Sequence, residues 1–221
     1  DNIVMETQAE ISYLARNIMM AMNDIFCPNT TYTAADGTQY TVLDTKNCSV
    51  GEDGKLPPLE LFSRNGYDRY TETEIDGQKF YVYNGETNAN LSSWYKLGNV
   101  TVNPKVVAQV TLMPSYNQDG AADYGLGDKI SKAWANEGLY INPNDTSKCN
   151  FEGYYDKIIS RLGTSGSVYK SSTDTLTSTT AAIDNQRNQI MGVSSDEELT
   201  DMIKFQSAYN ASSRYITVIS Q

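Results

Sequence analysis

Apolar residues recur every seven positions at both ends of the chain. Near the start Val4, Ile11, Ile18 and Ile25 form one row, supported by Leu14, Ala15 and Met22. That spacing predicts an amphipathic helix over residues 3–26, about six turns long, with Asn17, Asn23 and Asp24 on its polar side. Cys27-Pro28-Asn29 stops it. Farther on, Tyr155, Leu162, Tyr169, Leu176, Ile183 and Ile190 share one heptad position, but the neighbouring Ser165, Ser172, Thr179 and Gln186 are polar. This second seam is long and thin. The last helix is announced by Ser195 followed by Glu198, a capping box in which each side chain satisfies a backbone N–H at the helix start. Asp196, Glu197 and Glu198 suit the positive end of the helix dipole, and Met202, Tyr209 and Ile216 then repeat every seven residues beside Leu199 and Ile203. Breaks are expected at Gly163 to Gly166 and at Gly192.

Between the helical ends the period changes. Tyr32 to Val42 surrounds Asp36-Gly37, and Thr71 to Tyr83 surrounds Asp76-Gly77, with β-branched and aromatic residues on both sides. Asp-Gly in that setting predicts two hairpins, because a type I′ turn needs positive φ at both central residues. Leu59 to Phe62 reads as a short strand, and Asn99 to Val107 as a strand turning into one helical turn with Pro104 at its first position. Asp128 to Glu137 reads as a short helix ended by Gly138 and anchored by Trp134. The expected fold class is therefore α+β. An elongated antiparallel, coiled-coil-like helical bundle is built from both chain ends, 1–26 and 151–221, and a mostly β domain with loops, 27–150, is inserted in it. A βαβ alternation is absent from this plan, which argues against a doubly wound sheet.

Charge narrows the partners. Seventeen Lys and Arg against 27 Asp and Glu give a net charge of −10, without the clustered cations that nucleic acid or an anionic membrane would require. Neither is expected as a partner. The chain holds no apolar run of membrane-spanning length, and Asp1 to Glu6 is not a signal peptide. The missing initial Met and a last helix without a stop signal lead us to expect an excised fragment, with segments absent at both ends. Three cysteines, Cys27, Cys48 and Cys149, are too few and too scattered for a disulfide framework, so free thiols are expected. In an oxidising compartment Cys27 has Cys48 or Cys149 as a possible mate. Six Asn-x-Ser/Thr sequons, from Asn29 to Asn210, carry little weight in an Asn-rich chain.

The sequence contains no histidine, which removes Ser-His-Asp and Cys-His catalysis, H-E-x-x-H metalloprotease helices and most zinc chemistry. A carboxylate-pair glycosidase survives that filter, although spacing singles out no pair. Asn117 to Asp123 has the oxygen-rich look of a calcium loop without its spacing or closing Glu, and a solvated loop explains it better. Gly125-Leu126-Gly127 has too few glycines for a phosphate-binding fingerprint. We expect no catalytic, cofactor-binding or metal-binding residue, and no enzyme. The 16 tyrosines allow a glycan-binding or protein-binding face on the hairpins, with ordinary cross-strand packing as the plainer reading.

The segment Gly192-Val193-Ser194-Ser195-Asp196-Glu197-Glu198-Leu199, continuing through Lys204-Phe205-Gln206-Ser207-Ala208-Tyr209 to Ile216, resembles the carboxyl-terminal signature of the bacterial flagellar hook-associated (FlgK) family. Asn185-Gln186-Arg187, Tyr154 to Gly163, Leu61-Phe62-Ser63 and Val102-Asn103-Pro104 are further echoes. The resemblance implies a structural, non-enzymatic protein at the junction of hook and filament. It also implies export through the flagellar secretion channel without a cleaved signal, and hence an extracellular place on the flagellum. Implied partners are neighbouring copies in the tube, the hook protein, the next hook-associated protein and an export chaperone before secretion. In that family the extreme terminal segments pair as an inner coiled coil, so the fragment alone is expected to be monomeric. The hook protein itself is the runner-up, and a secreted adhesin-like module using the Tyr-rich insertion is the reading from another class.

The residues expected to hold the bundle or its assembly together are Ile11, Ile18, Leu162, Leu176, Ile183, Leu199, Met202, Tyr209 and Ile216. On that view Leu199→Asp melts the last helix.

Overall fold

A computed structural model describes residues 2–57, 59–192 and 194–220. The class is α+β, and the chain divides into two compact units, Asp1–Gly163 and Thr164–Gln221.

Helix α1 (Ile3–Phe26) begins on Asn2, whose side chain accepts from the backbone N–H of Val4 and Met5, and it ends where Cys27 leaves helical geometry. Asn17, Asn23 and Asp24 do not form a solvated face. Asn23 is 0% exposed, Asn17 donates to the Ile141 carbonyl, and Asp24 pairs with Arg69. Each binds the helix to a later segment, and helical spacing carries no record of such partners.

Both expected hairpins form. β1 (Asn29–Thr33) pairs with β2 (Gln39–Leu43), while β4 (Tyr70–Ile75) pairs with β5 (Gln78–Tyr83), all antiparallel, in one sheet of order β1-β2-β5-β4. The two turns differ. Asp76 and Gly77 both take positive φ, 51° and 73°, as a type I′ turn demands, whereas in the first loop Gly37 alone does so. The first loop is longer, running over residues 34–38, and the second turn closes it: Asp76 accepts from the Tyr32 hydroxyl and the Ala35 N–H, each at 2.9 Å. Tyr32 also stacks on Phe80, with ring centroids 4.3 Å apart.

A second, two-stranded sheet joins β3 (Phe62–Arg64) to β6 (Val100–Val102). The strand expected from Leu59 therefore begins only at Phe62, because Leu59 adopts a left-handed φ of 63° that no strand tolerates. Past β6, Asn103 caps α2 (Pro104–Ala108) with Pro104 in its first turn, as the sequence suggests. Helix α3 (Tyr124–Ala135) starts earlier than Asp128 and stops before Glu137. Trp134 lies tilted against Phe151 at 5.4 Å but is 46% exposed, and it is Leu126 that the helix buries in the core.

Two clusters fill the unit. Phe26, Cys27, Leu43, Tyr70 and Leu126 form one, beneath the four-stranded sheet. Ile141, Phe151, Tyr154 and Ile158 form the other, against Tyr13, Leu14, Ile18 and Ala21 of α1.

Helix α4 (Phe151–Met191) runs unbroken through Gly163 and Gly166, contrary to the break expected there. Each glycine costs about 1 kcal/mol relative to Ala, a penalty that weakens a helix without breaking its hydrogen-bond ladder as Pro would. Along the second unit the hydroxyls of Thr173, Thr175, Thr177 and Thr179 donate to carbonyls four residues back, each at 2.9 Å. The break at Gly192 is present. Helix α5 (Ser195–Ile219) is capped by Ser194, not Ser195: the Ser194 hydroxyl accepts from Glu197 N–H at 3.4 Å. Ser194 and Glu197 have the same three-residue spacing as Ser195 and Glu198, and the earlier pair captures the helix start.

Candidate assembly surface

In the first unit the amino-terminal helix is held by polar side chains as much as by apolar ones. Asn23 Oδ1 accepts from the backbone N–H groups of Leu61 and Phe62, both at 2.9 Å, and its Nδ2 donates to the Phe62 carbonyl and to Tyr95 Oη. The Tyr95 hydroxyl in turn donates to Glu60 at 3.0 Å. Arg69, with no exposed side-chain surface, pairs with Asp24 and lies over the rings of Tyr70 and Tyr83. Arg64 donates to the Ser93 carbonyl and lies over Tyr95.

Burial pushes the Glu60 carboxyl up to about 7, although the Tyr95 hydroxyl, Arg64 and Arg69 pull the other way. Burial likewise raises the Cys27 thiol to about 12, so this cysteine is an inert core residue. Cys27 and Cys48 are buried, and Cys149 is half-buried.

The same helix meets the start of α4 through charge. Arg161 donates to Glu6 at 2.8 Å and also pairs with Glu10. Nearby, Arg16 takes Glu86 in a bidentate grip and stacks over Trp94.

The nine residues singled out for packing divide sharply. Ile18 is half-buried against the Ile141 and Phe151 cluster. Ile11 and Leu162, on the same unit, are exposed. In the second unit Leu176, Ile183, Leu199, Met202, Tyr209 and Ile216 are all exposed, from 52% at Leu199 to 75% at Tyr209. Indeed every described residue from 166 to 220 is exposed. The heptad rows are thus present as surfaces of α4 and α5, joined by the equally exposed Ile190, Phe205 and Ile219. Apolar rows of this length therefore stand in solvent on both helices.

Sequence reading missed the Asn23, Tyr95, Glu60, Arg64 and Arg69 network. These residues are spread from Asn23 to Tyr95 in a largely polar stretch, and spacing along the chain does not reveal which of them meet.

Among the described residues no group of three or more His, Cys, Asp or Glu side chains is placed to hold a metal ion. Nor is any helix among them long and apolar enough to cross a membrane.

Comparison with known proteins agrees with that geometry. The family described as the flagellar basal body rod FlgEFG protein C-terminal domain matches residues 189–221, which include α5. Flagellar hook-associated protein 1 of Bacillus subtilis (strain 168) is 30% identical over 157 residues, covering 70% of this chain. The chain spans only 29% of that relative's length. No solved structure matches. By these two similarities the chain is a relative of the flagellar hook-associated and rod proteins, a group of structural components of the bacterial flagellum.

Proposed function

We propose that this protein is a subunit of the junction between hook and filament, assembled from copies of itself through the helical surface. The observation that carries the reading is the exposed apolar row of Leu176 and Ile183 on α4 and of Leu199, Met202, Tyr209 and Ile216 on α5, the last four within the segment where the rod-protein similarity falls. An apolar row buried only on assembly gives a tube its cohesion and leaves the free subunit soluble, since net charge −10 keeps single copies apart. In this reading residues 1–26 and 151–221 form the helical domain that meets neighbouring copies, and 27–150 is the outward β insertion. Its partners are the hook protein below, the next hook-associated protein above and an export chaperone before secretion. The subunit works outside the cell, after passage through the flagellar channel, and its role is mechanical and non-enzymatic.

The rod-protein similarity over residues 189–221 favours a second reading, a hook or rod subunit. Immunogold electron microscopy of the source cells, with antibody against this chain, separates them. Label in a narrow band where hook meets filament supports the junction. Label along the hook or rod supports the second reading, and label away from flagella overturns both.

A further inference from the structure

We propose that the β region of the first unit carries a binding cleft for a neutral sugar, built from Tyr81, Asp68 and Lys105 around the strained turn at Leu59. The cleft encloses about 530 Å3, between the β4–β5 ladder, β3 and the first turn of α2. That volume lies within the range of about 300–1,000 Å3 typical of small-molecule sites. The helical assembly surface uses none of it.

Four observations point to the ligand's chemistry. First, Tyr81, set opposite Glu72 on the ladder, lines the cleft half-buried and offers an aromatic face to the C–H side of a pyranose ring. Second, Asp68 and Lys105 stand exposed at the cleft, and among the described residues neither side chain has a hydrogen-bond or ion-pair partner. A carboxylate and an ammonium on one cleft suit a ligand whose groups both donate and accept, as sugar hydroxyls do. A ligand of one net charge would face a like charge on one wall. Third, the remaining cations are already engaged: Arg64 donates to the Ser93 and Asn84 carbonyls, and Arg69 to Asp24 and Tyr70. They set the wall rigidly and do not compete for an anion. Fourth, Leu59 lines the cleft with φ 63°, a conformation that a branched side chain adopts only where its surroundings impose it, and such positions gather at ligand sites.

The test is a titration of the whole chain, labelled with 15N, with glucose, galactose and N-acetylglucosamine, followed by amide chemical shifts; glycine serves as the zwitterionic control. The expected result is a saturable shift, with at least one sugar, of the amides of Ser63, Asp68, Lys105 and Tyr81. Asp68→Asn and Lys105→Ala each weaken that binding by about tenfold, the size of one charge-assisted hydrogen bond, with the melting temperature unchanged because both residues are exposed. Tyr81→Phe, which keeps the ring, retains binding, and Tyr81→Leu loses it. Absence of saturable shifts with all three sugars overturns the proposal. So do shifts that the Asp68 and Lys105 substitutions leave unaltered, or binding of glycine in preference to every sugar.

Discussion

The two units use apolar residues in opposite ways. In the first, Phe26, Leu43, Ile141 and Phe151 are almost fully buried, and even a polar Asn23 is sealed from water. In the second, Leu176, Leu199, Met202 and Ile216 repeat as regularly as any core row, yet stand in solvent. Regular spacing therefore marks that a face is meant to be covered without saying by what. The first unit covers its own faces, with a β region and loops closing over α1. The second presents two helices whose rows are complete as surfaces, which is what a subunit requires if its neighbours supply the other half.

That contrast is open to attack, beginning where the largest effect is expected. Asn23→Ala removes one side chain but leaves the N–H groups of Leu61 and Phe62 and the hydroxyl of Tyr95 without it. We expect a loss of about 3–4 kcal/mol, read from urea denaturation followed by circular dichroism. A change below about 1 kcal/mol would remove Asn23 from the centre of the first unit.

Glu60 gives the next effect. Its carboxyl is held at about 7 in the folded chain, above the ordinary 4.5, so the folded state binds the proton more tightly than the unfolded state does. Stability from this group is fully present below about pH 4.5 and is lost as the pH rises through 7. The loss is on the order of 3 kcal/mol, given about 1.36 kcal/mol per pH unit over the rise from 4.5 to about 7. Glu60→Gln, which stays neutral, should flatten that part of the stability profile; an unchanged slope between pH 4.5 and 7 in this variant would assign it to other groups.

A smaller change is expected at Arg161, which is 37% exposed and so screened by water. Arg161→Ala should cost about 0.5–1 kcal/mol through its lost pairs with Glu6 and Glu10, and high salt should erase most of the difference from the parent chain.

Leu199→Asp should do least to the single chain. An exposed residue in a helix that buries none of its described residues leaves helicity and melting within about 0.5 kcal/mol of the parent. This replaces the expectation that the substitution melts the last helix. On the proposed function its effect falls on assembly instead: cells carrying it should shed filaments or lack them. A large drop in helicity of the isolated chain would mean that the row is already covered within one subunit.

Where the sequence was legible, local physics was enough. The heptad rows gave α1, α4 and α5; Asp-Gly gave the hairpins; Asn103-Pro104 gave the start of α2. Errors fell where two local solutions compete or where distance in sequence is large. Ser194 and Ser195 are equivalent caps by spacing, and only the folded chain chooses between them. The candidate surface was legible as a pattern, residue by residue, but its exposure was not.

Periodicity, turn chemistry and the absence of histidine were fixed by the chain itself, because each depends on neighbours within about one or two helical turns or on simple counting. They determined the element types, the carboxyl-terminal signature and the remoteness of common hydrolytic chemistry. Only the tertiary structure decided that Asn23 is buried while Leu199 is exposed, that Asp76 reaches the first hairpin, and that Leu59, Tyr81 and Lys105 border one cleft. Those outcomes depend on which distant segments cover which faces, and burial is a property of the partner as much as of the residue.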